Sequence, residues 1–354
     1  MLAANNVHGG DIYSYQEITG KKPLDYSANI NPLGLPSEVK EAFLSGIDSF
    51  CSYPDVSCRE LAKAVADDEQ VPWDCLTFGN GAADLIYRIC YALKPAKALL
   101  PAPTFAEYEQ AVAACGGITE YFPLKEETGF QLTKELIHHI EGKDILFLCN
   151  PNNPTGRITE RELLIRIAEK CRMENCILVI DECFIDFMEN QEQYSFQREL
   201  PRFENVIVLK AFTKIFAMPG LRLGYCLCYN KEIRGKIELA GQAWSVSVPA
   251  QIAGIAALQS KDYRKHTTEL ISRERRFLTE SLRQFGFTVY ESFTNFLLLR
   301  TEYKDLYQRL YQKGILIRKC DNFIGLDEFY YRIAVKDRDS NEVFLQTMKE
   351  IIIK

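Results

Sequence analysis

Short, wholly apolar runs alternate with longer amphipathic stretches along most of this chain. Residues 98–100, 145–148, 177–180, 206–209 and 224–228 are strand-length and apolar at consecutive positions, as in strands covered on both faces. The stretch 160–171 between them repeats its apolar residues at helical spacing. Parallel neighbours need long crossovers, so this spacing predicts an α/β domain with a mostly parallel sheet. The pattern changes in the last third. A long amphipathic helix is predicted over 263–285, then strands at 287–290, 296–299, 316–318 and 331–335, with helices at 304–313 and 341–352. That reads as a smaller α+β domain. The opening segment, rich in Asn, Pro and Gly, is expected to be an arm that packs on the smaller domain. The division predicted is 1–48 for the arm, 49–250 for the large domain and 251–354 for the small one.

Composition narrows the function classes. A chain of 354 residues suits two domains of roughly 100–200 residues each. Net charge is −6, with no Lys/Arg-rich block, so no nucleic-acid partner is expected. The apolar runs are far shorter than the ~20 residues of a spanning helix, so no membrane association is expected. The start, MLAANNVHGGDIYSY, lacks the basic and apolar regions of a signal peptide, and a cytoplasmic location is expected. The twelve cysteines form no CxxC pair, and Cys149, Cys176, Cys226 and Cys228 sit in apolar runs. Buried thiols are the expectation. The four histidines show no ligand spacing with them, and no metal is predicted.

Four segments carry candidate chemistry. In 206–225, VIVLKAFTKIFAMPGLRLGY, Lys214 follows a buried strand. A lysine in an apolar site has a lowered pKa and can condense with an aldehyde; alone, it would more often be a solvated loop residue. In ILVIDECFIDF, Asp181 closes an aliphatic strand, at the sheet edge where open α/β folds bind ligands. Such an acid can keep the ring nitrogen of pyridoxal phosphate protonated; otherwise it is an N-cap or surface partner. CNPNNPTG is a stiff turn that can aim Asn153 at a ring hydroxyl. In TFGNGAADLI, Gly79 and Gly81 open a helix at Ala82, and amides there can meet a phosphate. Downstream, PAPTFAEY offers Tyr108 to stack on a ring.

In this order, GNGAAD, PAPTFAEY, NPNNPTG, IDE and TK…PGLRLG resemble the fold-type-I pyridoxal-phosphate enzymes of the aminotransferase class I/II branch, over nearly the whole chain. The resemblance implies pyridoxal 5'-phosphate as cofactor, Lys214 as its Schiff-base lysine and Asp181 as partner of its ring nitrogen. It implies a homodimer with active sites near the interface, in which Tyr53 of CSYPDVSCREL reaches the cofactor phosphate in the partner subunit. Thr213 and Arg222 would hold the phosphate on the home subunit, and Arg332 in YYRIAVK would clamp the substrate carboxylate. Two positions depart from the pattern: Ala211 replaces a phosphate-binding Ser or Thr, and Phe184 replaces a Tyr that bonds the ring hydroxyl.

Within the branch the chain is most similar to the threonine-phosphate decarboxylases, which stand near the histidinol-phosphate aminotransferases. The segments that carry this are His8-Gly9-Gly10, YSANINPLG at 26–34, DECFIDF at 181–187 and GILIRKCDNFIGL at 314–326. The resemblance implies decarboxylation of L-threonine O-3-phosphate to (R)-1-aminopropan-2-yl phosphate and CO2, as in cobalamin biosynthesis. Such a substrate carries a phosphate beside its carboxylate, and His8, Asn31, Arg318 and Arg332 are the candidate holders, with Lys319 a further one. How the two arginines divide the anions stays open. So does phosphothreonine against phosphoserine, since one methyl group discriminates by only ~1–3 kcal/mol. The alternatives are an aminotransferase acting on histidinol phosphate or a related amino acid, and a non-catalytic cofactor sensor, which would need a basic DNA-binding module that the sequence does not display.

Overall fold

The computed structural model describes residues 8–352, so the first seven residues of the expected arm lie outside the described residues. The larger sheet contains β1 (Leu76–Gly79), β2 (Lys97–Ala102), β3 (Ile118–Pro123), β4 (Ile145–Cys149), β5 (Ile177–Asp181), β6 (Val206–Ala211) and β7 (Gly224–Leu227). Its spatial order is β1-β7-β6-β5-β4-β2-β3. Strands β2 to β6 are mutually parallel. Alternate residues feed two separate cores: Leu146, Leu148, Leu178, Ile180 and Val208 pack on one face, and Ile145, Phe147, Val179, Ile207 and Leu209 on the other. Burial on both faces is why these strands read as continuous apolar runs.

Two features differ from the sequence-based expectation. Strand β7 runs antiparallel to both neighbours. The link from β6 holds only the four-residue helix Phe212–Ile215, too little to carry the chain back across the sheet as a parallel crossover requires. Strands β1 and β3 were not expected. The first has four residues, and the second lies at the sheet edge with exposed Ile118, Glu120 and Pro123, so it lacks an unbroken apolar run.

The last third forms an antiparallel sheet from β8 (Thr288–Val289), β9 (Phe296–Arg300), β10 (Arg318–Lys319) and β11 (Tyr330–Ala334), in the order β10-β11-β9-β8. The helix Tyr263–Gln284 packs with it, and the helix Arg338–Ile352 packs on that helix. The arm is tied to this part of the molecule. Leu24–Asp25 pairs in parallel with Ile315–Leu316. Tyr26 stacks on Phe344 at 4.5 Å and donates its hydroxyl to Asn341 Oδ1 at 2.9 Å. Among the described residues, no helix is long and apolar enough to cross a membrane.

Candidate active site

The parallel strands end at one edge, and a cavity of about 430 Å³ opens there between the two sheets and the arm. The size is ordinary for a small-molecule site. Asp181 is the last residue of β5, in register with Cys149 on β4 and Leu209 on β6. Its side chain is anchored: Tyr108 donates its hydroxyl to Oδ2 at 2.7 Å, and the Cys183 backbone N–H donates to Oδ1 at 3.0 Å. Lys214 follows β6 in the helical turn Phe212–Ile215 and reaches the same cavity. Its Nζ has no hydrogen-bond or ion-pair partner among the described residues. Burial, with Arg332 and Arg222 adding to it, pulls the amine down to about 8.

Tyr108 is not where stacking on a bound ring would need it. It is fully buried, off the cavity wall, and stacks on Phe147 at 5.1 Å. Burial and the neighbouring Asp181 carboxylate raise its phenol far above the ordinary range, so it remains a donor to that carboxylate. The aromatic that lines the cavity from the same segment is Phe105. Tyr108 sits inside the helix Glu107–Ala114 and turns towards the core, whereas Phe105 precedes it.

The glycines before Ala82 have a steric reason. Gly81 has φ +82°, and a Cβ there would lie 2.6 Å from Arg222 Nη2. A Cβ at Gly224 would lie 2.5 Å from the Ala82 nitrogen. The turn, the helix start and Arg222 therefore share space that only glycine leaves. Arg222 itself has φ +57°. Ala82, Thr213 and Arg222 line the cavity, while Gly81 acts by making room. Tyr53 does not reach this cavity. It is 81% exposed and stacks on Trp244 at 4.7 Å.

On the opposite wall, Arg318 and Arg332 are directly paired across β10 and β11. Each is only 6% exposed. Arg318 donates to the Lys319 carbonyl at 2.6 Å and to Asn322 Oδ1 at 2.7 Å. Arg332 donates to Asn153 Oδ1 and, at 2.8 Å, to the Ser27 carbonyl. Its Nε is buried without a partner, and no carboxylate pairs with it among the described residues. Burial lowers the guanidinium to about 10. A buried, unmatched guanidinium is costly and is poised for an anionic ligand. Lys319 turns elsewhere and pairs with Asp321 at 2.6 Å.

The three asparagines of NPNNPTG divide their work. Asn150 Oδ1 accepts from the Thr159 N–H at 2.7 Å, and Asn152 bonds the Pro103 carbonyl at 2.9 Å. Asn153 is left to face the cavity. Asn31, expected to meet substrate, is used up in the fold. Its amide donates to the Ile215 carbonyl and Thr267 Oγ1, both at 2.7 Å, and its oxygen accepts from Leu33. Asn31 is off the cavity wall, and its N–H bonds the Lys214 carbonyl at 3.3 Å. Asn29, two residues earlier, takes the expected place. It lines the cavity at 2% exposure, and its Oδ1 is buried without a partner. The motif SANIN contains both asparagines, and nothing in their spacing says which one turns inward. His8 lines the mouth, where its Nε2–H donates to Glu107 Oε1 at 2.6 Å.

A family model for "Aminotransferase class I and II" matches residues 21–347. The chain belongs to the class I and II aminotransferase family. A threonine-phosphate decarboxylase of Salmonella typhimurium is 38% identical to this family member, over 99% of this chain and 98% of that protein. Histidinol-phosphate aminotransferase 2 of Archaeoglobus fulgidus is 32% identical over 95% of each chain. Among solved structures, the histidinol-phosphate aminotransferase of Clostridium acetobutylicum superposes with a TM-score of 0.88 at 34% identity, covering 93% of this chain and 99% of that one. The donor set of this family member can receive an aldehyde at Lys214, a ring nitrogen at Asp181 and a phosphate at the start of the helix Ala82–Leu93, beside Thr213 and Arg222.

Proposed function

We propose that the chain is a pyridoxal-5'-phosphate-dependent lyase that decarboxylates L-threonine O-3-phosphate to (R)-1-aminopropan-2-yl phosphate and CO2, a step suited to cobalamin biosynthesis. The carrying observation is the cross-strand pair Arg318–Arg332, which opens onto the same cavity as Lys214. Two buried guanidinium groups suit a substrate with two anionic ends, a carboxylate and a phosphate. Histidinol phosphate carries only the phosphate. The 38% identity to a threonine-phosphate decarboxylase supports the same reading.

When bound, pyridoxal 5'-phosphate supplies the electron sink that accepts the electron pair released at the α-carbon. Lys214 Nζ would be the amine that holds its aldehyde. Asp181, fixed by Tyr108 and the Cys183 N–H, would keep the ring nitrogen protonated. Ala82, Thr213 and Arg222 would hold its phosphate, and Phe105 and Asn153, which line the same cavity, would bind its ring. Arg332, already bonded to Asn153, orients the substrate carboxylate, and Asn29 adds an amide beside it. Arg318 and His8 take the substrate phosphate. The carboxylate leaves as CO2, and Lys214 Nζ returns a proton to the α-carbon in its place. Phe184 packs edge-on against Phe296 at 5.0 Å and can donate no hydrogen bond to the ring.

The proposal extends to a cytoplasmic homodimer, divided as 1–48, 49–250 and 251–354. Exposed Tyr53 supports the dimer, since it does not line its own cavity. The pairing of Leu24–Asp25 with Ile315–Leu316 supports the arm, and twelve free thiols suit a reducing compartment. The histidinol-phosphate aminotransferase likeness keeps one second reading, transamination. The deciding experiment mixes cofactor-loaded protein with L-threonine O-3-phosphate and follows CO2. Release without an oxo-acid establishes the decarboxylase. No release, with conversion of the cofactor to its pyridoxamine form by histidinol phosphate, establishes the aminotransferase.

A further inference from the structure

Glu107 is an acid in a cavity built for anions. The wall carries Lys214, Arg222, Arg318 and Arg332, and a bare carboxylate among them would repel a doubly charged phosphate. Glu107 is not bare. His8 Nε2–H donates to its Oε1 at 2.6 Å, between residues 99 positions apart in the chain. That bond, with the charge of a protonated His8 and the nearby Tyr87 hydroxyl adding to it, holds the carboxyl below its usual range.

The contact also has a mechanical setting. Glu107 begins the helix Glu107–Ala114, which follows β2 of the larger sheet. His8 belongs to the arm, and the arm is braced against the substrate wall. The Gly10 N–H donates to Ser27 Oγ at 2.7 Å, and a Cβ at Gly9 would come within 2.2 Å of the Ser27 oxygen. That same oxygen accepts from Arg332 Nη2 at 2.8 Å. A tight path therefore runs from Arg332 through Ser27 to His8 and ends on Glu107 across the cavity mouth. Among the described residues, His8 Nδ1 has no hydrogen-bond partner.

We propose that Glu107 is a positioning residue that holds the His8 ring across the mouth as an imidazolium, so that its second N–H, at Nδ1, donates to the substrate phosphate and the arm stays closed over the cavity. This rests on the reading of the substrate as a phosphorylated amino acid. The test is a double-mutant cycle on full-length, cofactor-loaded protein with Glu107→Gln, His8→Asn and the pair. It reads KM and kcat for L-threonine O-3-phosphate and inhibition constants for inorganic phosphate and unphosphorylated L-threonine. Each single variant is expected to raise KM and the phosphate constant about tenfold, with kcat moving less, as for loss of one charge-assisted hydrogen bond. The double variant is expected to add nothing further. The L-threonine constant is expected to hold. A wild-type response to Glu107→Gln, independent effects that multiply to about a hundredfold, or equal losses for phosphate and L-threonine would each overturn the role. If the wild type does not turn over phosphothreonine, the substrate reading fails by itself. The cycle on phosphate binding, measured by calorimetry, then decides the role of Glu107 separately.

Discussion

Lys210 and Lys214 lie four positions apart at the end of one strand, and their surroundings differ in kind. Lys210 is 5% exposed and well partnered: its amine bonds Glu69 Oε2 at 2.7 Å and Gln197 Oε1 at 2.9 Å. Burial works against its charge, but Glu69, Asp186 and Glu182 outweigh that and raise its pKa. Glu69 also accepts from Tyr225 on the neighbouring β7. Lys214 has no such partner, and its pKa falls to about 8. The same residue type is thus an ion-paired cation at one site and an unpaired amine of lowered pKa at the other. The supply of carboxylates decides which.

The comparison can be broken in order of effect. Lys214→Ala should lower turnover by roughly 10³-fold or more and abolish the visible absorbance of bound cofactor. Retention of both would remove Lys214 from the chemistry. Asp181→Asn should cost about 10²–10³ in turnover, as for loss of one preorganised electrostatic partner, with cofactor still bound by absorbance. An unchanged rate would leave Asp181 a structural acid like Glu69.

Lys210→Met should behave in the opposite way. It strands Glu69 in the interior, so urea unfolding should show a loss of ~3–5 kcal/mol, while the folded protein still forms the visible band. A lost band at undiminished stability would erase the distinction between the two lysines. The smallest effect concerns pH. Only a neutral amine attacks an aldehyde, and the Lys214 amine titrates at about 8. Cofactor uptake by the apoprotein, followed by absorbance, should therefore quicken about tenfold per pH unit below that value and level off above it. A flat profile between pH 6 and 9 would show that the amine is not limiting.

Lys214 and Asp181 were legible as cavity residues because one closes a buried strand and the other stands just past one, and a charge placed there has few structural excuses. Arg318 and Arg332 were legible from motif alone; that they are cross-strand neighbours was not. Tyr108 and Phe105 belong to one segment, as do Asn31 and Asn29, and in both cases the nearer-looking candidate went to the fold. Tyr108 turned inward with its helix to anchor Asp181, and Asn31 was drawn off by the Ile215 carbonyl and Thr267. Those choices depend on partners far away in the chain.

The sequence by itself determined the strands buried on both faces, the α/β class and the acid and amine at or just past the strand ends, because burial on both faces and strand-end polarity are written in local pattern. Tertiary structure alone decided that β7 runs backwards, which asparagine and which aromatic face the cavity, and that His8 meets Glu107. Each of these depends on which distant group arrives to satisfy a hydrogen bond or a charge, and local pattern does not encode that.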